Sequence, residues 1–158
     1  MMKITRFVYS ALIGVVASCR SMTPMAALAA ARLAKRDTSG ALLLLDRPLF
    51  KYGALAMGAG ELYGDKMKSA PDRTVFLGLS ARVASAGIAG AALAPRGEEK
   101  TGAAVAISAA VPLAYATLAA RKKAITKIGQ TRSGLIEDTL VVALGAAVVF
   151  FATRSDRH

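Results

Sequence analysis

The stretch TGAAVAISAAVPLAYATLAA, Thr101 to Ala120, runs for twenty residues without one charged side chain. A helix rises about 1.5 Å per residue, so this run matches the roughly 30 Å hydrocarbon core of a bilayer. Lipid is therefore the predicted solvent. Four more apolar stretches surround it, at about 7–33, 49–67, 75–94 and 135–152. Strands of an outer-membrane barrel would alternate apolar and polar residues, whereas 101–120 and 135–152 continue in Ala, Val and Leu without alternation. The predicted fold is all-α: a polytopic transmembrane bundle of about five helices forming one membrane domain over residues 1–158.

Composition supports the same solvent. Hydrophobic residues make up 54% of the chain and mean hydropathy is +0.45, above the about 45–50% apolar content of soluble domains. The net charge of +11 comes from 21 Lys and Arg against 10 acids, and all the bases except Arg20 and Arg82 lie between or at the ends of the apolar segments. That placement suits anionic headgroups and retained cytoplasmic loops, and argues against nucleic acid, which wants bases gathered on one folded face. Across five crossings the bases divide almost evenly and set no orientation. If the second segment dips in and returns, the loops after segments one, two and four become clearly the more basic side. The bilayer is the expected partner, with a second copy or another membrane protein as further candidates.

The first segment holds Arg20 near its centre and Pro24 one turn later, which predicts a kink there. Within it, Val16-Ala17-Ser18-Cys19 resembles a lipoprotein cleavage box, although Met22, Pro24, Met25 and Leu28 follow where a polar tether is usual. Asp37 to Gly40 reads as a turn, Ala41 to Leu45 as an interfacial patch, and Asp46 with Pro48 as a helix start. The second segment carries Lys51, Glu61, Asp65 and Lys66 and either crosses or re-enters. The fifth has Glu137 and Asp138 in its expected first turn, where the helix dipole favours acids. Small residues recur every four positions at Gly60 and Gly64, at Ala86, Gly90 and Ala94, and at Gly102, Ala106, Ala110 and Ala114. Such stripes let helix backbones approach closely in lipid.

Arg20 and Arg82 each sit in apolar sequence, and an arginine at the centre of a membrane helix costs about 2.5–3.5 kcal/mol on insertion scales. Carboxylates must compensate them. Glu61 and Asp65, spaced i,i+4 on one helix face, are the candidate partners, with Glu137 and Asp138 as a second acidic pair. Arg121, Lys122, Lys123 and Lys127, in the loop before the last segment, are placed to contact lipid headgroups or simply to orient the chain. Cys19 is the only cysteine and His158 the only histidine, so one chain supplies no disulfide and no His- or Cys-based metal site. No phosphate-cradling glycine loop and no nucleophile with a usable base occurs, and neither an enzyme nor a cofactor is expected.

Three patches carry a family likeness: Gly14 followed by Cys19-Arg20-Ser21-Met22-Thr23-Pro24; Gly60-Glu61-Leu62-Tyr63-Gly64-Asp65-Lys66; and Arg82 ahead of Gly87-Ile88-Ala89-Gly90-Ala91. Together they resemble the domain-of-unknown-function 4126 family of small bacterial integral membrane proteins, over roughly residues 7 to 150. Pro71 falls later after the Asp-Lys pair than the family pattern suggests. The resemblance implies a bacterial inner-membrane location, no established activity, and Arg20, Glu61, Asp65 and Arg82 as a set. A faint internal likeness between the residues after Arg20 and those after Arg82 is of the kind duplicated transporter halves show. Two functions follow: a small permease or channel-like protein with a buried Arg/Glu/Asp site, or a structural or accessory subunit whose buried charges serve helix packing and assembly.

Overall fold

A computed structural model describes residues 2–38, 42–64 and 76–154 of the chain. Every regular element among them is helical: α1 Met2–Cys19, α2 Thr23–Leu33, α3 Pro48–Gly64, α4 Phe76–Leu93, α5 Glu99–Ile128 and α6 Gln130–Arg154, with a 3-10 turn at Leu43–Asp46 ahead of α3. By length and composition, α4, α5 and α6 can each cross a membrane. The outer surface is apolar as well. Leu49 and Tyr52 on α3, Phe76 and Leu77 on α4, and Leu135, Leu140 and Phe151 on α6 all face outward, an arrangement that water would penalise and hydrocarbon accepts.

The first segment departs from its expected form. It is not one kinked helix but two, broken at Arg20-Ser21-Met22. Pro24 lies in the first turn of α2, where its missing N–H removes no helical hydrogen bond, so it starts a helix here and kinks none. The chain also reverses at the break. Gly145 of α6 faces Val16 before the break and Thr23 after it. Asp138 meets Arg20, and Phe150 lies under the Arg36 guanidinium at 4.4 Å. Following the chain from Arg20 to Arg36 thus means travelling along α6 from Asp138 to Phe150, so α2 runs with α6 while α1 runs against it. The Val16 to Cys19 box forms the end of α1, with Val16, Ala17 and Ser18 fully buried.

The end of α5 also differs. Its helix continues past Ala120 through the basic run and stops only at Gly129, whose φ of +84° lies in the left-handed region that glycine adopts freely. Ala, Arg and Lys are good helix formers, and cations near a helix C-terminus are favoured by its dipole. Arg121, Lys122, Lys123 and Lys127 are therefore on helix, not in a loop. Since α6 begins at Gln130, Glu137 and Asp138 lie about two turns inside it and not in its first turn. Pro112 falls within α5. As expected, Pro48 opens α3.

Two of the three small-residue stripes form the core contact. Ala86 and Gly90 on α4 and Ala94 just after it are buried, as are Gly102, Ala106, Ala110 and Ala114 on α5. A Cβ on Gly90 would collide with Ala106 and the Gly102 carbonyl, and one on Gly14 of α1 with the Ala106 backbone. Ser10 of α1 donates to the Gly90 carbonyl at 2.9 Å in the same crossing. Close approach of three backbones thus holds α1, α4 and α5 together by dispersion, as lipid requires. On α3, Gly60 is exposed and faces open space.

Candidate functional site

Breaking a helix strands its last carbonyls and its first N–H groups, and in hydrocarbon no water satisfies them. The break between α1 and α2 meets this demand with charged side chains from other helices. On the α2 side, the Glu61 carboxylate of α3 accepts from the Ser21 N–H at 2.8 Å, the Ser21 hydroxyl at 2.6 Å and the Met22 N–H at 2.7 Å. On the α1 side, Arg82 Nε of α4 donates to the Ser18 carbonyl at 3.2 Å, and its Nη1 to the Gly78 carbonyl of its own helix at 2.8 Å. Both charges have the sign that the helix dipoles favour, the anion at an N-terminus and the cation at a C-terminus.

Arg20 lies in the break itself. It is 2% exposed, and its Nη2 forms an ion pair with Asp138 of α6. A weaker contact from Nη1 reaches the Glu61 backbone carbonyl at 3.5 Å. The expected pairing of Arg20 with the Glu61 carboxylate is therefore replaced by Arg20 with Asp138, while Glu61 binds backbone. Next to Asp138, Glu137 pairs with Arg121 of α5 at 3.3 Å. Arg121 is thus engaged within the protein; Lys123 and Lys127 are exposed further along α5. Asp65 lies outside the described residues.

Together, Arg20, Arg82, Glu61 and Asp138 join α1, α2, α3, α4 and α6 at one place, two cations against two anions. Only Asp138 was missing from the principal site set read in the sequence. Its signal was weak, because an acid near the start of an apolar segment has an ordinary explanation in the helix dipole. Depth also differs from expectation. Arg20 is central in its sequence segment, yet the reversal there and the neighbouring Glu137–Arg121 pair displace it from the middle of the 101–120 run toward its Arg121 end.

A second charged cluster ties down the connection from α2 to α3. Arg32 bonds Asp37 at 3.0 Å, the Thr38 hydroxyl at 2.9 Å and Asp46 at 3.3 Å. Between α2, α3 and α4 lies a cavity of about 450 Å³, its wall formed by side chains such as Met22, Met25, Phe50 and Ile88. No charged residue lines it. Among the described residues no cluster of His, Cys, Asp and Glu could hold a metal ion.

No protein-family model, curated protein or solved structure matches this chain. The likeness to the 4126 family rests on the three sequence patches alone.

Proposed function

We infer that this chain is a multi-pass protein of the bacterial cytoplasmic membrane that serves as a structural or accessory subunit, with its buried charges stabilising a broken helix. In this reading α1, α3, α4, α5 and α6 traverse the bilayer, and α2 with the segment after it returns the chain, so both termini lie on one side. One observation carries the reading. Glu61 and Arg82 are spent on the backbone ends of α1 and α2, and Arg20 on Asp138, while the adjoining cavity is lined by apolar side chains and one serine, the buried Ser85. A polar solute finds no charged group in that wall and a single hydroxyl at most. Association with another membrane protein or a second copy is the corresponding role, through the apolar outer faces of α3 and α6.

A permease or channel-like function is the second reading. Discontinuous helices with charged groups at their broken ends are how many transporters build binding sites, and Glu61 is half-buried and not sealed. Flux separates the two. In proteoliposomes, wild type and Glu61→Gln should pass the same negligible amounts of monovalent ions and small polar solutes, while Glu61→Gln melts earlier. Flux abolished by Glu61→Gln in a still-folded protein would establish the permease.

A further inference from the structure

The cavity between α2, α3 and α4 has a direction. Leu49 lies at the α3-start end of its wall, then Phe50, Gly53, Ala54 and Met57 follow along the helix. Eight residues of helix span about 12 Å. Its volume of about 450 Å³ falls among pockets that hold one ligand of drug size, roughly 300–1,000 Å³. Its wall suits hydrocarbon.

At the Leu49 end the chemistry changes sign. Arg47 immediately precedes α3 and Lys51 lies in its first turn, its N–H bonded to the Arg47 carbonyl at 3.2 Å. Arg47, extended at φ −68° and ψ 132°, comes two residues before Leu49 and so stands beside that end of the slot, outside its wall. Among the described residues neither Arg47 nor Lys51 forms an ion pair, and the adjacent Asp46 is engaged by Arg32. The N-terminus of α3 adds its own partial positive charge. An apolar slot thus ends at two cations and a helix N-terminus, the complement of an anion attached to a hydrocarbon chain.

We propose that this slot binds one anionic phospholipid, its acyl chain lying along α3 between α2 and α4 and its phosphate held by Arg47 and Lys51. The proposal rests on the membrane reading above. It names a site distinct from the basic run at Arg121 to Lys127, where a headgroup would meet cations with no adjoining slot. Bound lipid wedges α3 against α2 and α4, and so supports the Glu61 contact with the helix break from the opposite end of α3.

The test uses the full chain purified in mild detergent, with phosphatidylglycerol and phosphatidylcholine offered in equal amounts and retention read by native mass spectrometry. Wild type should retain one phosphatidylglycerol in preference to phosphatidylcholine. Two basic groups at a membrane surface are each worth about a fivefold preference, so Arg47→Gln with Lys51→Gln should weaken phosphatidylglycerol retention about 30-fold and leave phosphatidylcholine unchanged. Gly53→Leu fills the slot from a position where a Cβ meets nothing within 4 Å, and so should fold normally while losing retention. Glycerol phosphate should not compete. Equal retention of both lipids by wild type, unchanged retention by Gly53→Leu, or displacement by glycerol phosphate would each overturn the site. A chain that stays monodisperse without detergent would overturn the membrane reading instead.

Discussion

Replacing Glu61 by Gln probes the helix break with a change of one atom. The carboxylate now serves three donors, two backbone N–H groups and the Ser21 hydroxyl. A glutamine keeps one oxygen, which can retain the two Ser21 bonds. Its amide nitrogen then faces the Met22 N–H, donor against donor. An unsatisfied buried N–H costs about 1–3 kcal/mol, and losing the charge at the α2 N-terminus removes a further ~0.3–1 kcal/mol. The sum is about 1–4 kcal/mol. For a chain of this size each kcal/mol lowers Tm by roughly 2–4 °C, so Glu61→Gln should melt about 3–16 °C below wild type. Circular dichroism of the detergent-solubilised protein measures this. A Tm within 2 °C of wild type, on the order of the smallest shift resolved, would refute the view that Glu61 holds the break.

Further outcomes follow from the same geometry. Asp138→Asn leaves the Arg20 charge buried without its counter-ion and should cost about 3–5 kcal/mol, while replacing both partners by apolar residues, Arg20→Met with Asp138→Leu, should recover most of that loss; thermal melts of wild type and the two variants check it. Gly90→Leu forces α4 away from α5 and should abolish a folded species on size-exclusion chromatography, whereas Gly60→Ala, which meets open space, should elute and melt as wild type. Arg121→Gln removes only one partner of a pair at the end of the apolar run, and should lower Tm by less than half the Asp138→Asn loss. Reporter tags at the two termini should appear on the same side of the membrane; opposite sides would require an odd number of crossings.

Much of the fold could be read from residue patterns. The run from Thr101 to Ala120 is helix throughout, and the stripes on α4 and α5 do pack, because four-residue periodicity of small side chains places them on one helix face. Periodicity says less about where a helix ends. The run from Arg121 to Lys127 looks like a polar loop by charge, yet its residues favour helix and nothing interrupts them before Gly129. Pro24 is ambiguous in a different way: the same residue kinks a helix from inside and begins one from its first turn. Only the spatial relation of Val16 and Thr23 to Gly145 shows which applies. Arg20, Glu61 and Arg82 stood out because charge in apolar sequence demands compensation. Their partners were hidden, because what Glu61 and Arg82 satisfy is backbone exposed by the break, and a backbone group carries no letter in the sequence.

The claim on which the rest depends is that the chain turns back at Arg20-Ser21-Met22. Spin labels at Val8 on α1 and Leu33 on α2, both partly exposed, in a Cys19→Ser background, test it by double electron–electron resonance. One continuous helix from residue 8 to residue 33 would separate the labelled backbones by about 37 Å. A reversed pair of helices a neighbour or two apart brings them within roughly 20 Å. A single distribution centred near or below the shorter distance is the predicted result; one centred near the longer distance would contradict the account.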